Sequence, residues 1–286
     1  LAFGMRTAPA VSELSVRLAE GTVDECRVRL DSQQVSVKSV LLNRGGYSYL
    51  TGPAVPGKEK QEAAPVPGGS TPSLPWTVRV GSVVLDDNRA EYGLLNHRPA
   101  AGFDPSFIVL STLDLAVDSI YNRGADIALQ IRRMAFTERS GLTVSDMTGD
   151  IGMDASGISL AGVTLKTPFS RIEANISAGE GILALAPDSP LKAALTADVN
   201  TKDLKYLYPA LIPPVLDGRI VSLALTAAGT LGDIGKAGLD ISSPGHVAFT
   251  ADGAARNVLD PDRMEASARF EGDFRDMAFL EALLPD

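Results

Sequence analysis

One cysteine, Cys26, stands in 286 residues, so no disulfide can close within the chain. A lone thiol on an alternating segment is expected as a small buried hydrophobe, and its count leaves the redox compartment open. Histidine is nearly as scarce. His97 and His246 are the two, far apart, with neither near a Cys or carboxylate at ligand spacing. A zinc site needs three or four ligands, so no metal is expected. Aromatic residues make up 6%, fewer than a compact enzyme core of this length usually carries. No apolar run approaches the roughly 20 residues that span a bilayer, and no stretch reads as a signal peptide. Clustered Lys and Arg are also missing, and the net charge is −9, which argues against nucleic acid as a partner. The chain starts at Leu1 and stops at Asp286, and is expected to be an internal fragment of a longer protein, with any anchor or export signal upstream.

What is abundant is alternation. Hydrophobic residues make up 45%, mostly Val, Ile, Leu and Ala. They alternate with polar ones in Ile127-Ala128-Leu129-Gln130-Ile131, Ile158-Ser159-Leu160, Arg171-Ile172-Glu173-Ala174-Asn175-Ile176 and Val221-Ser222-Leu223-Ala224-Leu225. Successive side chains on a strand point to opposite faces, so each segment has one apolar and one polar face. Many such segments, separated by Gly, Asn, Asp and Ser, predict an extended antiparallel sheet.

Three regions follow from composition. Residues 1–50 form a first β segment of the sheet. Residues 51–75 hold Pro53, Pro56, Pro65, Pro67, Pro72 and Pro75 with four glycines, and are expected as a disordered insert, because proline cannot join a ladder and little is there to bury. From Trp76 the strands resume, and residues 76–286 make a second β segment with repeated strand–helix units. Gly141, Gly149, Gly157, Gly162 and Gly181 fall where turns are expected.

Two stretches, 202–209 and 275–285, have helical spacing instead. Asp203 and Asp276 favour the helix starts and prolines end them. They also align: Ala193, Asp203, Leu207 and Leu211 match Ala266, Asp276, Leu280 and Leu284 at an offset of about 73 residues. A fainter match pairs Val35-x-Val37-x-Ser39-Val40 with Val78-x-Val80-x-Ser82-Val83. Repetition of this kind suits a sheet that grows by adding units.

The segment that runs from Trp76-Thr77-Val78-Arg79-Val80 through Asp86-Asp87-Asn88 to Tyr92, with Phe136-Thr137-Glu138-Arg139-Ser140-Gly141-Leu142 and Leu165-Lys166-Thr167-Pro168-Phe169-Ser170, resembles the AsmA-like superfamily. The nearest resemblance is to the TamB-type translocation and assembly module proteins of Bacteroidetes. The likeness covers most of the chain and rests on diffuse patterning. It implies an all-β fold: a long, twisted, mainly antiparallel sheet curled into an open groove (a β-taco), here with two short helices. It further implies a periplasmic protein anchored to the inner membrane that moves phospholipid or assists outer-membrane protein assembly.

Nothing in the chain reads as catalytic, and no cofactor is expected. Gly232-Asp233-Ile234-Gly235-Lys236 fails as a phosphate loop, with Thr230 in place of the first Gly and Ala237 in place of the Ser or Thr that binds magnesium. Asp86-Asp87 and Asp260-Pro261-Asp262 read as turns. No Gly-x-Ser-x-Gly occurs. The residues expected to matter are the apolar stripe Ile127, Leu129, Ile131, Ile158, Leu160, Ile172, Ile176, Leu223 and Leu225. Parity alone leaves it open whether they line a groove or fill a closed sandwich, and the resemblance favours the groove. The expected partner is then phospholipid, and the runner-up an outer-membrane β-barrel protein whose strands pair with exposed edges. A carbohydrate enzyme is a third class, disfavoured for want of an aromatic platform and a distinctive carboxylate pair.

Overall fold

The computed structural model describes residues 2–7, 12–52, 76–179, 186–208 and 217–275. Alternation becomes seventeen strands: β1 (Ala2–Thr7), β2 (Ser12–Arg17), β3 (Glu20–Asp24), β4 (Arg27–Arg29), β5 (Gln34–Asn43), β6 (Gly46–Thr51), β7 (Thr77–Leu94), β8 (Phe107–Arg123) and β9 (Asp126–Glu138). They continue as β10 (Thr143–Asp154), β11 (Gly157–Lys166), β12 (Arg171–Gly179), β13 (Pro190–Asn200), β14 (Ile220–Thr230), β15 (Ile234–Ser243), β16 (Val247–Arg256) and β17 (Glu265–Phe274). Among the described residues one helix, α1 (Thr201–Leu207), sits between β13 and β14.

All seventeen strands belong to one sheet. From β7 to β17 each strand pairs antiparallel with the next, as a meander. The expected curled, mainly antiparallel sheet is what forms, with one departure. Strands β5 and β6 lie parallel to β7, so the sheet is mixed. The described strands of residues 1–50 and of 76–286 thus share one sheet. The pairing also explains the fainter sequence match, since Val35 faces Val78, Val37 faces Val80, Ser39 faces Ser82 and Val40 faces Val83. In both strands the half-buried parity shifts at this level, from Val35 and Val37 to Val40 and Leu42, and from Val78 and Val80 to Val83 and Leu85. Gly81 sits at that kink, where a Cβ would lie 2.4 Å from the Lys38 carbonyl oxygen.

Several local expectations are corrected. Cys26 is exposed rather than buried, because it falls in the break between β3 and β4, two strands exposed throughout. Gly149 and Gly162 mark bulges inside β10 and β11 rather than turns. Asp86-Asp87 likewise lies inside β7, where Asp87 takes a positive φ of 50° at a register shift. Asp260 and Asp262 do occupy the turn before β17. Helix α1 is capped by Asn200, whose side chain accepts from Lys202 N, and Asp203 lies in its first turn, where an acid favours the helix start as expected. The second expected helix and residues 53–75 of the insert lie outside the described residues.

Curling shows at the end of the sheet where α1 sits. In a flat sheet β8 and β13 would stand five strand spacings, about 24 Å, apart. Here the loop entering β8 reaches the helix leaving β13, with Phe103 N donating to Leu207 O at 3.3 Å. Arg139, in the β9–β10 turn, donates to Ala100 O and Gly102 O of the same loop at 3.0 and 2.8 Å. Asp203, buried, accepts from Thr167 Oγ1 and Ser170 Oγ of the β11–β12 turn, each at 2.5 Å. Four connections, the loop entering β8, the β9–β10 turn, the β11–β12 turn and α1, are thereby tied into one rim.

Candidate functional site: an open apolar face

Cross-strand partners share a face, so register decides which side chains form a surface. One row runs Leu42, Leu85, Leu115, Met134, Met147, Leu165, Ile172, Ala197, Leu223, Ile241, Phe249 and Gly272, from β5 to β17. Two residues along the strands, a second row begins Val40, Val83, Val117, Ile131 and Gly149, and resumes after a bulge as Val163, Ala174, Leu195, Leu225, Leu239, Ala251 and Phe270. A third runs Leu129, Ile151, Leu160, Ile176, Ala193, Ala227, Ala237, Gly253 and Ala268. The fourth runs Ile127, Met153, Ile158, Ala178, Leu191, Gly229, Ile234, Ala255 and Ala266.

No charged or hydrogen-bonding side chain occurs in these four rows. Eleven strand spacings make the longest about 50 Å, and the six residue steps from Ile172 to Ala178 make the belt about 20 Å wide. All nine residues of the expected stripe lie in it. Bulges preserve this arrangement. In β9, where Met134 and Ile131 both face the belt, the extra residue leaves Arg132 and Arg133 together on the other side, both exposed.

The belt is not a packed core. Of the nine expected residues only Ile131 is fully buried, Leu225 is 37% exposed, and the remaining seven are half-buried. At the β17 edge Phe270 is 71% exposed. Among the described residues the elements are this one sheet and one short helix, so no second layer is present to cover the face. The most buried apolar side chains after Val144 are Val109 and Leu113, all three in the halves of β8 and β10 nearest the α1 end, where the loops gather.

The opposite face is polar. Its pairs include Asp146 with Lys166, Lys166 with Arg171, Arg171 with Asp198 and Asp198 with Ser222. Lys166 Nζ lies 3.5 Å from Asp146 Oδ2, and Ser222 Oγ donates to Asp198 at 2.6 Å. Gln130 and Glu173 are on this side, one step from Leu129 and Ile172.

One polar residue inside the sheet escaped sequence reasoning. Asn88, 1% exposed, bridges the break between β5 and β6. Its Oδ1 accepts from Gly45 N at 2.8 Å and Tyr47 Oη at 3.2 Å, and its Nδ2 donates to Leu42 O and Asp86 O. His97 pairs with Asp104, and His246 with Arg219, both in loops at the α1 end. Among the described residues no three His, Cys, Asp or Glu side chains gather as a metal site, and no helix is long and apolar enough to cross a membrane.

No protein-family profile, no curated protein and no solved structure matches the chain.

Proposed function

We propose that the chain is a non-enzymatic segment of a periplasmic, bridge-like protein, anchored to the inner membrane, that shields phospholipid acyl chains in its groove during transport between inner and outer membrane. The observation that supports this reading is a wide apolar belt without a polar side chain that is left mostly half-buried. A belt about 20 Å wide exceeds the roughly 15 Å of one leaflet's hydrocarbon, so acyl chains can lie within it while headgroups stay outside. A dozen methylenes taken out of water stabilise the bound lipid by about 10 kcal/mol. Because each strand presents an equivalent strip, a lipid passing from strand to strand exchanges one set of apolar contacts for another, with no charged group to desolvate on the way. No bond is made or broken.

Native mass spectrometry of the purified chain tests the reading. Phospholipid should be retained, and removed by detergent without unfolding. Lipid-free protein recovered from a lipid-rich extract would contradict it.

A second reading, an assembly factor that pairs with strands of outer-membrane β-barrel proteins, draws on β17. All ten of its residues are exposed, and its register pairs it with β16 alone among the described strands. Such an edge can add a partner strand.

A further inference from the structure

The two ends of the strands differ in charge. At the α1 end, from β7 to β17, the turns and strand termini carry Lys202, Lys205 and Arg219 against Asp203 and Asp217, Arg98 and Arg139 are balanced by Asp104 and Glu138, and Lys166 and Arg171 pair with Asp146 and Glu173 toward the polar face. At the opposite end acids are in excess, with Asp154, Asp188, Asp233, Asp260 and Asp262 in the turns against Arg263, which pairs with Asp260. In a chain of net charge −9 a basic rim runs against the whole.

The basic rim also carries exposed rings. Phe169 is 48%, Tyr206 41% and Tyr208 52% exposed. Phe169, Tyr206, Lys202, Lys205 and Asp217 line a cavity of about 450 Å³ that opens beside α1. Lys202 Nζ stands 5.2 Å from the centre of the Phe169 ring, and Lys205 Nζ 2.8 Å from Asp217 Oδ2. The Asp217 carboxyl is held below its ordinary range, first by the Lys205 hydrogen bond and further by the Lys205 and Lys202 charges. Rings with polar tips beside lysines match the boundary between hydrocarbon and headgroup, where each group finds its own medium.

We propose that the α1 rim is where the headgroups of anionic phospholipids ride, their phosphates beside Lys202 and Lys205 and their acyl chains in the belt. The proposal rests on the lipid-conduit reading and adds to it a polarity, headgroup at one rim only, and a preference for negative charge. The acidic rim repels the same headgroups, so a lipid inserted the other way round is disfavoured. Each lysine near an anionic surface is worth about five-fold in affinity.

The test measures uptake of a lipid with a fluorescent acyl chain by the purified chain, from vesicles of phosphatidylcholine alone or of phosphatidylcholine and phosphatidylglycerol in equal parts. Wild type should take lipid faster from the mixed vesicles, and high salt should remove the difference. Lys202→Gln with Lys205→Gln should lose roughly ten-fold or more of the preference. Asp188→Asn with Asp233→Asn, at the other rim, should keep the preference. Equal uptake from both vesicles, or a preference that survives the lysine substitutions, overturns the headgroup assignment and leaves the conduit standing. No uptake from either overturns both.

Discussion

Asn88 Oδ1 accepts the amide hydrogen of Gly45 at 2.8 Å, across 43 residues of chain, where the ladder with β7 passes from β5 to β6. The bond explains how two short strands can act as one beside the eighteen residues of β7.

Replacing Asn88 by Ala strands the buried Gly45 N–H and takes a partner from the part-buried Tyr47 hydroxyl and Leu42 carbonyl, while Asp86 O keeps the Arg44 N–H. The expected cost is about 3 kcal/mol or more, since each unpaired buried group costs about 1–3 kcal/mol. Urea unfolding of Asn88→Ala against wild type reads it. A difference under about 1 kcal/mol would mean that water takes over the amide's role.

Gly81→Ala should destabilise by about 1–3 kcal/mol, because the added Cβ meets the Lys38 carbonyl oxygen and backbone cannot swing aside as a side chain can. Gly46→Ala, where nothing lies within 4 Å of the added carbon, is the control. Thermal melts that rank the two alike would contradict the shared kink of β5 and β7.

Asp104 anchors the loop before β8. It accepts from Ala100 N and Ser106 N, both at 2.9 Å, and pairs with His97 Nε2 at 2.7 Å. The Ala100 N–H first and His97 next hold its carboxyl down, from 3.8 to about 2. A depressed acid contributes stability that is complete above its unfolded value and lost as pH falls through the folded one. The loop should therefore loosen between about pH 4 and pH 2. Asp104→Asn should abolish that step, which hydrogen exchange of Phe103 and Ser106 against pH would record. An unchanged acid profile in the variant would place the step elsewhere.

Asp203→Ala should detach α1 from the β11–β12 turn, because the Thr167 and Ser170 hydroxyls lose the carboxylate that both donate to. A loss of about 2–3 kcal/mol is expected for hydrogen bonds to a charged group. Thr167→Val should reproduce part of it. A double-mutant cycle with additive losses would show that the two residues act separately.

Much of this was legible in the sequence, and the limits are physical. Period-two alternation put Ile127, Leu129 and Ile131 on one face, because strand geometry leaves no other arrangement. It could not place Leu223 beside Ala197 or Met134 beside Met147, since register depends on turns and on bulges such as the extra residue at Arg132-Arg133. The match of Val35–Val40 with Val78–Val83 was visible, but not its meaning, a parallel pairing that needs a long crossover. Cys26 was misplaced because neither β3 nor β4 has a buried face. Asn88 gave no signal, as an asparagine in a strand looks like a turn until its four partners are known. Whether the stripe was groove or sandwich core turned on a covering layer, which parity does not encode.

The central claim is that the belt meets mobile hydrocarbon and the other face does not. A photo-crosslinking amino acid at Leu129 or Ile172 should capture phospholipid in cells, and one at Gln130 or Glu173, a single step along the same strands, should capture none. Equal capture from both faces, or no capture at Leu129 with a large loss of stability there, would contradict the conduit and favour a closed core.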